Sequence, residues 1–367
     1  MDTSEIIPII SVAIATSTPL VLATIGETIT ERAGIINLSA EGTILLSAMV
    51  GFAVAKTTEG LGTFSSLLLG FGFAALTGAA IALIVAFGAL TLRQSQVAIG
   101  FVLTLLCGDL SSFLGNPFVR IPGPTVPSLK IPILQDIPII GPLFFQSDLL
   151  VYLSFLLIIF TWIFFYRTRP GLILRAIGEQ PAAAFVRGTN VVFLRYFYTL
   201  LGGALVGIGG AAFSLDFKAG WSHRHTAGYG WIALAIVIFG GWNPLRVALS
   251  CYLFGILQSL ASVAQSTIPN VPTQVFTVAP FVLMILFLLL TSSEGLQRLL
   301  KFLPPRIGWL TSVGFLLASV DKEDKGVKWT REEYRTFFSA VGGILTDSTA
   351  YYFCLLYTSP SPRDGLL

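Results

Sequence analysis

Charged side chains crowd into one short stretch of a chain that is otherwise nearly free of them. Arg167, Arg169, Arg175, Glu179 and Arg187 fall within residues 167–190, RTRPGLILRAIGEQPAAAFVRGTN, of a sequence only 11% charged. The chemistry on offer there is ionic docking to a partner. Bond making is poorly supplied, because no nucleophile stands beside a visible general base. Cys107, Cys251 and Cys354 are scattered, two of them inside apolar runs, so neither a disulfide frame nor a metal cage is implied. His223 and His225 flank Arg224, and two imidazoles are too few for zinc, so no metal site is expected. No GxxxxGK[ST] occurs, so the chain lacks a P-loop for ATP. Ionisable residues inside apolar segments are few, mainly Glu41 and Asp109, which leaves a proton- or ion-coupled relay short of groups.

The elements that must position these residues are membrane helices. The chain has 367 residues, 54% of them hydrophobic, and a mean hydropathy of +0.82, far above a soluble domain. Apolar runs long enough for a hydrocarbon core recur through its first three hundred positions, and they are continuous, which excludes a β-barrel. The expected fold is an all-α polytopic membrane protein with about nine helices, within a range of eight to ten. Spans are expected at 6–25, 43–55, 65–92, 96–115, 149–166, 191–214, 230–241, 246–265 and 273–291, the seventh being short. The stretch 26–42, GETITERAGIINLSAEG, is too polar for lipid, and Gly26, Gly34 and Gly42 predict irregular backbone there. Such backbone is tolerated at membrane depth only where protein or water surrounds it. Residues 116–147 are dense in proline and read as an ordered external loop. The fifth span ends in an aromatic belt of Trp162, Phe164, Phe165 and Tyr166, and Gly203 and Gly207 form a GxxxG contact face in the sixth. The N-terminus lacks the features of a removable signal peptide.

Within the island, Pro181 opens a short helix over AAAFVR and Gly188 suits the position just past its end, with Arg175 and Glu179 on an extended lead-in. Cytoplasmic loops retain Lys and Arg. Placing the island inside leaves Arg32, Arg93, Arg167, Arg169, Arg175, Arg187, Arg195, Arg246, Arg298, Lys301 and Arg306 on that side. Outside remain only Lys56, Arg120, Lys130, Lys218 and Arg224. The net charge of +3 gives no reason to expect nucleic acid. Residues 1–311 therefore read as one transmembrane domain. Residues 312–367 read as a polar C-terminal tail, disordered or foreign to the native chain, since YTSPSPRD resembles translated sequencing adaptor.

Four blocks in order carry a family resemblance over roughly residues 20–305. GETITERAGIINLSAEG, GLILRAIGEQPAAAFVRG, LLGGALVGIGGAAFSL and GWIALAIVIFGGWNPL resemble permeases of ABC importers of the ribose, branched-chain amino acid and nucleoside superfamily. ERAGIINLSAEG and IFGGWNPL are most similar to those of purine nucleoside permeases. The resemblance implies a permease bundle in the cytoplasmic membrane of a prokaryote. It implies that ATP is hydrolysed on a separate ABC ATPase subunit, with no cofactor held by this chain. It also implies a second, longer permease and a substrate-binding lipoprotein as partners.

Residue by residue, the resemblance places ATPase coupling at Gly171, Arg175, Ala176, Gly178, Glu179, Pro181 and Arg187. The residues themselves suggest a translocation pathway near Asn37, Ser39 and Glu41 of the irregular polar stretch, and at Trp231, whose aromatic face suits stacking on a nucleobase. One departure stands out: the family usually has arginine where this chain has Tyr229. Bland readings accompany these. Glu41 can be a carboxylate that stabilises a helix start, Asn37 and Ser39 can be caps, and Trp231 and Trp242 can be packing residues. Nucleosides lead as solute, with riboflavin-like flavins and simple sugars behind. An ATP-independent secondary transporter is the other class, marked by inverted repeats with broken spans. One broken segment near 26–42 has a candidate partner near 226–241.

Overall fold

The computed structural model describes residues 3–129, 146–267 and 271–292. Its helices are α1 (Thr3–Arg32), α2 (Ala40–Thr57), α3 (Thr63–Ala86), α4 (Gln96–Gly115), α5 (Leu149–Arg167), α6 (Arg169–Glu179), α7 (Pro181–Val186), α8 (Val191–Ala212), α9 (Tyr229–Phe239), α10 (Pro244–Thr267) and α11 (Thr273–Ser292). Seven helices among the described residues are long and apolar enough to cross a bilayer, namely α1 to α5, α8 and α10. The shorter α9 and the apolar stretch Thr273–Leu286 of α11 complete the expected set of nine. The unit Met1–Leu286 is compact and carries everything described below. The expectations for 312–367, for Arg298, Lys301 and Arg306, and for Lys130 lie outside the described residues.

Helices α1, α2, α3 and α8 form the centre, with α8 packed against the other three. Close approach at this centre depends on missing side chains. A Cβ at Gly78 of α3 would strike the carbonyl of Gly203 in α8 and meet the Gly207 backbone at 2.9 Å. The GxxxG face of α8 is thus a backbone-to-backbone contact with α3. Without a hydrophobic force between helices in lipid, such fit is what holds the pair.

The stretch 26–42 departs from expectation. Helix α1 runs unbroken to Arg32, and only residues 33–39 leave helical geometry before α2. The threonines towards its end are buried and bond within their own helix, while Glu27, Glu31 and Arg32 find partners beyond it. The hydroxyls of Thr24, Thr28 and Thr30 donate to the carbonyls of Val21, Thr24 and Gly26. Hydroxyls that bond back to the preceding turn need no solvent, so they sit in a buried helix at little cost. Gly26 faces the backbone of Gly202 and Gly42 faces that of Thr104, both at helix crossings, while Gly34 alone of the three has positive φ, +84°. The connection 33–39 is wrapped by protein, with Ala33, Ile35, Asn37 and Ser39 all buried. The aromatic belt also needs amendment: Phe165 is fully buried, turned into the bundle.

The end of α1, the start of α4, the turn between α5 and α8 and the turn between α9 and α10 gather at one end of the bundle. Glu179 pairs with Arg32, the Ile36 N–H donates to Gln96 Oε1, and Arg32 reaches the Gly241 carbonyl. The described parts of 116–147 meet the segment after α8 at the other end, where Val119 and Pro122 bridge Trp221 and Gly220. This arrangement agrees with the alternation of spans drawn from the arginines.

Candidate functional site

The charged island is a pair of helices docked on the end of α1. Thr168 caps α6, its Oγ1 accepting from the Gly171 N–H at 3.1 Å, and Pro170 occupies the first turn where its missing N–H is harmless. Arg175 and Glu179 therefore lie on a helix and not on an extended lead-in. Propensity explains the difference, since LILRAIGE between a Thr cap and Gln180 is good helix material. The short helix begins at Pro181 as expected, and Gly188 follows it with φ +81°. Asn190 then caps α8 through the Phe193 N–H.

Helix α6 buries Gly171, Leu174 and Ile177 along one stripe. A Cβ at Gly171 would collide with the Phe164 carbonyl, and one at Gly178 with the Arg32 carbonyl. These two glycines let α6 lie on α5 and α1 at backbone distance. Arg195 of α8 donates to the Ile177 carbonyl at 2.9 Å and so ties down the end of α6. Ala176 accepts from the Gln180 N–H at the same end.

Arg175 and Glu179 do not pair with each other. Arg175 lies over the Tyr166 ring, 5.0 Å from its centroid. Glu179 bonds to Arg32 at 3.1 Å, with side-chain exposures of 67% and 13%. Arg32 also donates to the Gly241 and Trp242 carbonyls, and the Trp242 indole N–H donates to Glu31. One cluster thus links α6, the end of α1 and the turn after α9. Arg187 is exposed, and beside it Phe185 and Val186 project with 71% and 85% exposure. Sequence reasoning missed this apolar tip, because AAAFV reads as ordinary helix until its environment is known.

A second cluster lies deeper. Asn37 donates to Glu27 Oε1 at 2.8 Å and accepts from the Ser39 hydroxyl at 2.5 Å, all three buried. Glu27 was not singled out in the sequence, because 26–42 was read as irregular and its polarity as general. The Glu41 carboxylate accepts from the backbone N–H groups of Gly228, Gly230 and Trp231 at 2.7, 2.8 and 3.3 Å. These are the donors left unpaired by the helix itself at the start of α9, whose own N-cap, Gly228, has no side chain to offer. A carboxylate there also meets the positive end of the helix dipole. The helix Glu41 stabilises is therefore α9, distant in sequence, as well as its own. Gly230 touches the Glu41 backbone directly. The nearby Trp231 is half-exposed and packs on Phe101 of α4, with centroids 6.1 Å apart. Among the expected pathway residues, Asn37, Ser39 and Glu41 are buried and Trp231 alone reaches a surface.

The segment between α8 and α9 folds on itself. Arg224 bonds Asp109 at 2.8 Å across exposed surface. His225 Nδ1 lies 2.9 Å from the Ser222 carbonyl, and its Nε2 lies 3.3 Å from Ser214 Oγ. Burial pushes the imidazole pKa down to about 4. Burial also lowers that of Lys218, which donates to the His225 carbonyl. No group of three or more metal-ligating side chains occurs among the described residues.

Comparison with known proteins identifies the family. Residues 9–288 match the family described as the branched-chain amino acid transport system permease component. The nucleoside ABC transporter permease NupC of Lactococcus lactis subsp. cremoris is 36% identical over 282 residues, covering 75% of this chain and 89% of the relative. The guanosine permease NupQ of Bacillus subtilis is 31% identical over 307 residues, covering 78% and 93%. TsgC13 of Haloferax volcanii, by name a glucose ABC transporter permease, is 37% identical over 272 residues, covering 72% and 81%. No solved structure matches. The chain, a multi-pass membrane protein, belongs to the branched-chain amino acid transport system permease family and is a permease component of an ABC transporter.

Proposed function

We propose that this permease passes nucleosides inward across the cytoplasmic membrane of a prokaryote, driven by a separate ATPase. The observation that carries the solute class is the similarity to NupC and NupQ, which extends over most of all three chains. A sugar is the second reading, favoured by TsgC13. The ATPase docks on α6 and α7, where Gly171, Arg175, Ala176, Gly178, Glu179, Pro181 and Arg187 form a rigid block. Support comes from the Phe185–Val186 tip, since apolar side chains projecting from a charged rim mark a contact surface. ATP and its chemistry belong to that partner, and no cofactor is assigned to this chain. A second, longer permease and a substrate-binding lipoprotein complete the importer, the lipoprotein at the end opposite α6.

Solute passes the exposed face of α9 at Trp231. Glu41 holds the start of α9 in place, and Asn37 and Ser39 brace the connection that leads to Glu41. The test is uptake of radiolabelled adenosine and of glucose by cells carrying the operon, with and without the ATPase gene. Adenosine uptake that disappears with the ATPase supports the reading. Glucose uptake alone transfers it to sugars, and uptake that persists without the ATPase overturns it in favour of a secondary transporter.

A further inference from the structure

A cavity of about 750 Å³ opens between α1, α10, α11 and the segment that leads into α9. That volume falls within the roughly 300–1,000 Å³ of small-molecule sites. It lies far from the ATPase-docking end. Gln258 on its wall is fourteen residues into α10, which begins beside that end, and a helix rises about 1.5 Å per residue, so the wall stands roughly 20 Å away.

The lining has a definite chemistry. Tyr229 and Phe281 supply aromatic surface, their centroids 6.1 Å apart and their planes nearly perpendicular. The Tyr229 hydroxyl accepts from Gln258 Nε2 at 2.7 Å, which fixes the ring, and Gln258 itself lines the space. Ser259 also lines the space. It is only 9% exposed, and its hydroxyl has no hydrogen-bond partner. Thr16 and Ser262, both less buried, line it as well. Lys218 and Arg224 stand on the wall, and no Asp or Glu is among the described residues that line it. A neutral, electron-rich heteroaromatic solute finds rings to stack on, an amide to read its edge and hydroxyls for a sugar.

We propose that this cavity is a purine nucleoside site on the outer half of the permease, with the base stacked on Tyr229, its edge at Gln258 and the ribose toward Thr16. The proposal rests on the nucleoside reading above and gives it a location. The cavity floor is Tyr229, the first residue of α9, next to the Gly228 that Glu41 holds.

The test uses the assembled importer in membranes, with Ser262→Cys as an exposed reporter on the cavity wall. A membrane-impermeant maleimide labels it, and the unsubstituted protein measures background from the native cysteines. Saturating adenosine should slow labelling several-fold and glucose should not. Tyr229→Ala should abolish that protection and raise the KM for adenosine uptake tenfold or more, the loss expected for one base–aromatic stack. Tyr229→Phe, which keeps the ring, should restore most of both. Normal adenosine uptake with no protection overturns the site and leaves the nucleoside reading standing. Protection by glucose alone overturns the assigned ligand class. Absence of both adenosine uptake and protection overturns site and reading together.

Discussion

Glu41 illustrates how much one carboxylate can organise. Three backbone N–H groups of α9 point at it, and each loses its acceptor if the side chain is truncated. A buried donor left without a partner costs about 1–3 kcal/mol. Glu41→Ala is therefore expected to destabilise the protein by roughly 3 kcal/mol, and Glu41→Gln, which keeps one acceptor oxygen, by less. Thermal unfolding of the purified permease in detergent measures both, and an alanine variant as stable as the wild type refutes the capping role. Gly230→Ala should reduce uptake although Glu41 is intact, because the added Cβ falls on the Glu41 backbone.

His225 gives a signed pH dependence. An unfolded imidazole takes up a proton near pH 6.5, whereas the folded one stays neutral down to about 4. Between those values the unfolded state binds more protons, so stability falls as pH drops from about 6.5 towards 4, and above 6.5 this residue adds no slope. His225→Gln should flatten that part of the curve of melting temperature against pH. An unchanged curve would mean that the imidazole is not buried as described.

Among the elements, α6 and α7 act as a single rigid piece held by glycine contacts and by Arg195. The ion pair between Glu179 and Arg32 contributes little to stability, because a pair this exposed is worth about 0–1 kcal/mol. Its value lies in orientation, since it joins the piece to α1 and the turn after α9. Glu179→Ala should consequently leave the melting temperature nearly unchanged while lowering transport per ATP hydrolysed. Removing the tip should act on assembly instead. Burying a Phe side chain contributes about 1.5–3 kcal/mol, so Phe185→Ser with Val186→Ser should cut ATPase recovery in co-purification roughly tenfold or more without unfolding the permease. Full recovery and full transport in both variants would reduce the island to a connecting loop.

For the whole molecule, the two ends differ in charge. Gln180 and Ser128 are both exposed and lie at opposite ends of the bundle. Gln180→Cys should react with impermeant maleimide only after the cytoplasmic side is opened, and Ser128→Cys should react in intact cells. Reaction of both from one side contradicts the orientation drawn from the arginines. Motion between the ends has a physical route through α9, which is anchored at its start by Glu41 and at its end by the Trp242–Glu31 and Arg32–Gly241 contacts.

Class, order of spans and the Pro181 helix were all legible in the chain, because they depend on local quantities: run length, propensity and the turn chemistry of Pro and Gly. The shortness of α9 was legible too, since the polar residues before Tyr229 cannot enter lipid alone. The reach of α1 to Arg32 was not. Polarity marked 26–32 as foreign to a span, yet neighbouring helices cover those residues and their hydroxyls bond inward. The destination of Glu41 was equally hidden, since Gly228 lies 187 residues away and no local pattern joins them. The same holds for Glu179, whose partner Arg32 is 147 residues distant, and for the exposure of Phe185. A sequence states which groups need partners. Only packing decides which distant backbone comes close enough to supply them, and which apolar side chains are left facing out.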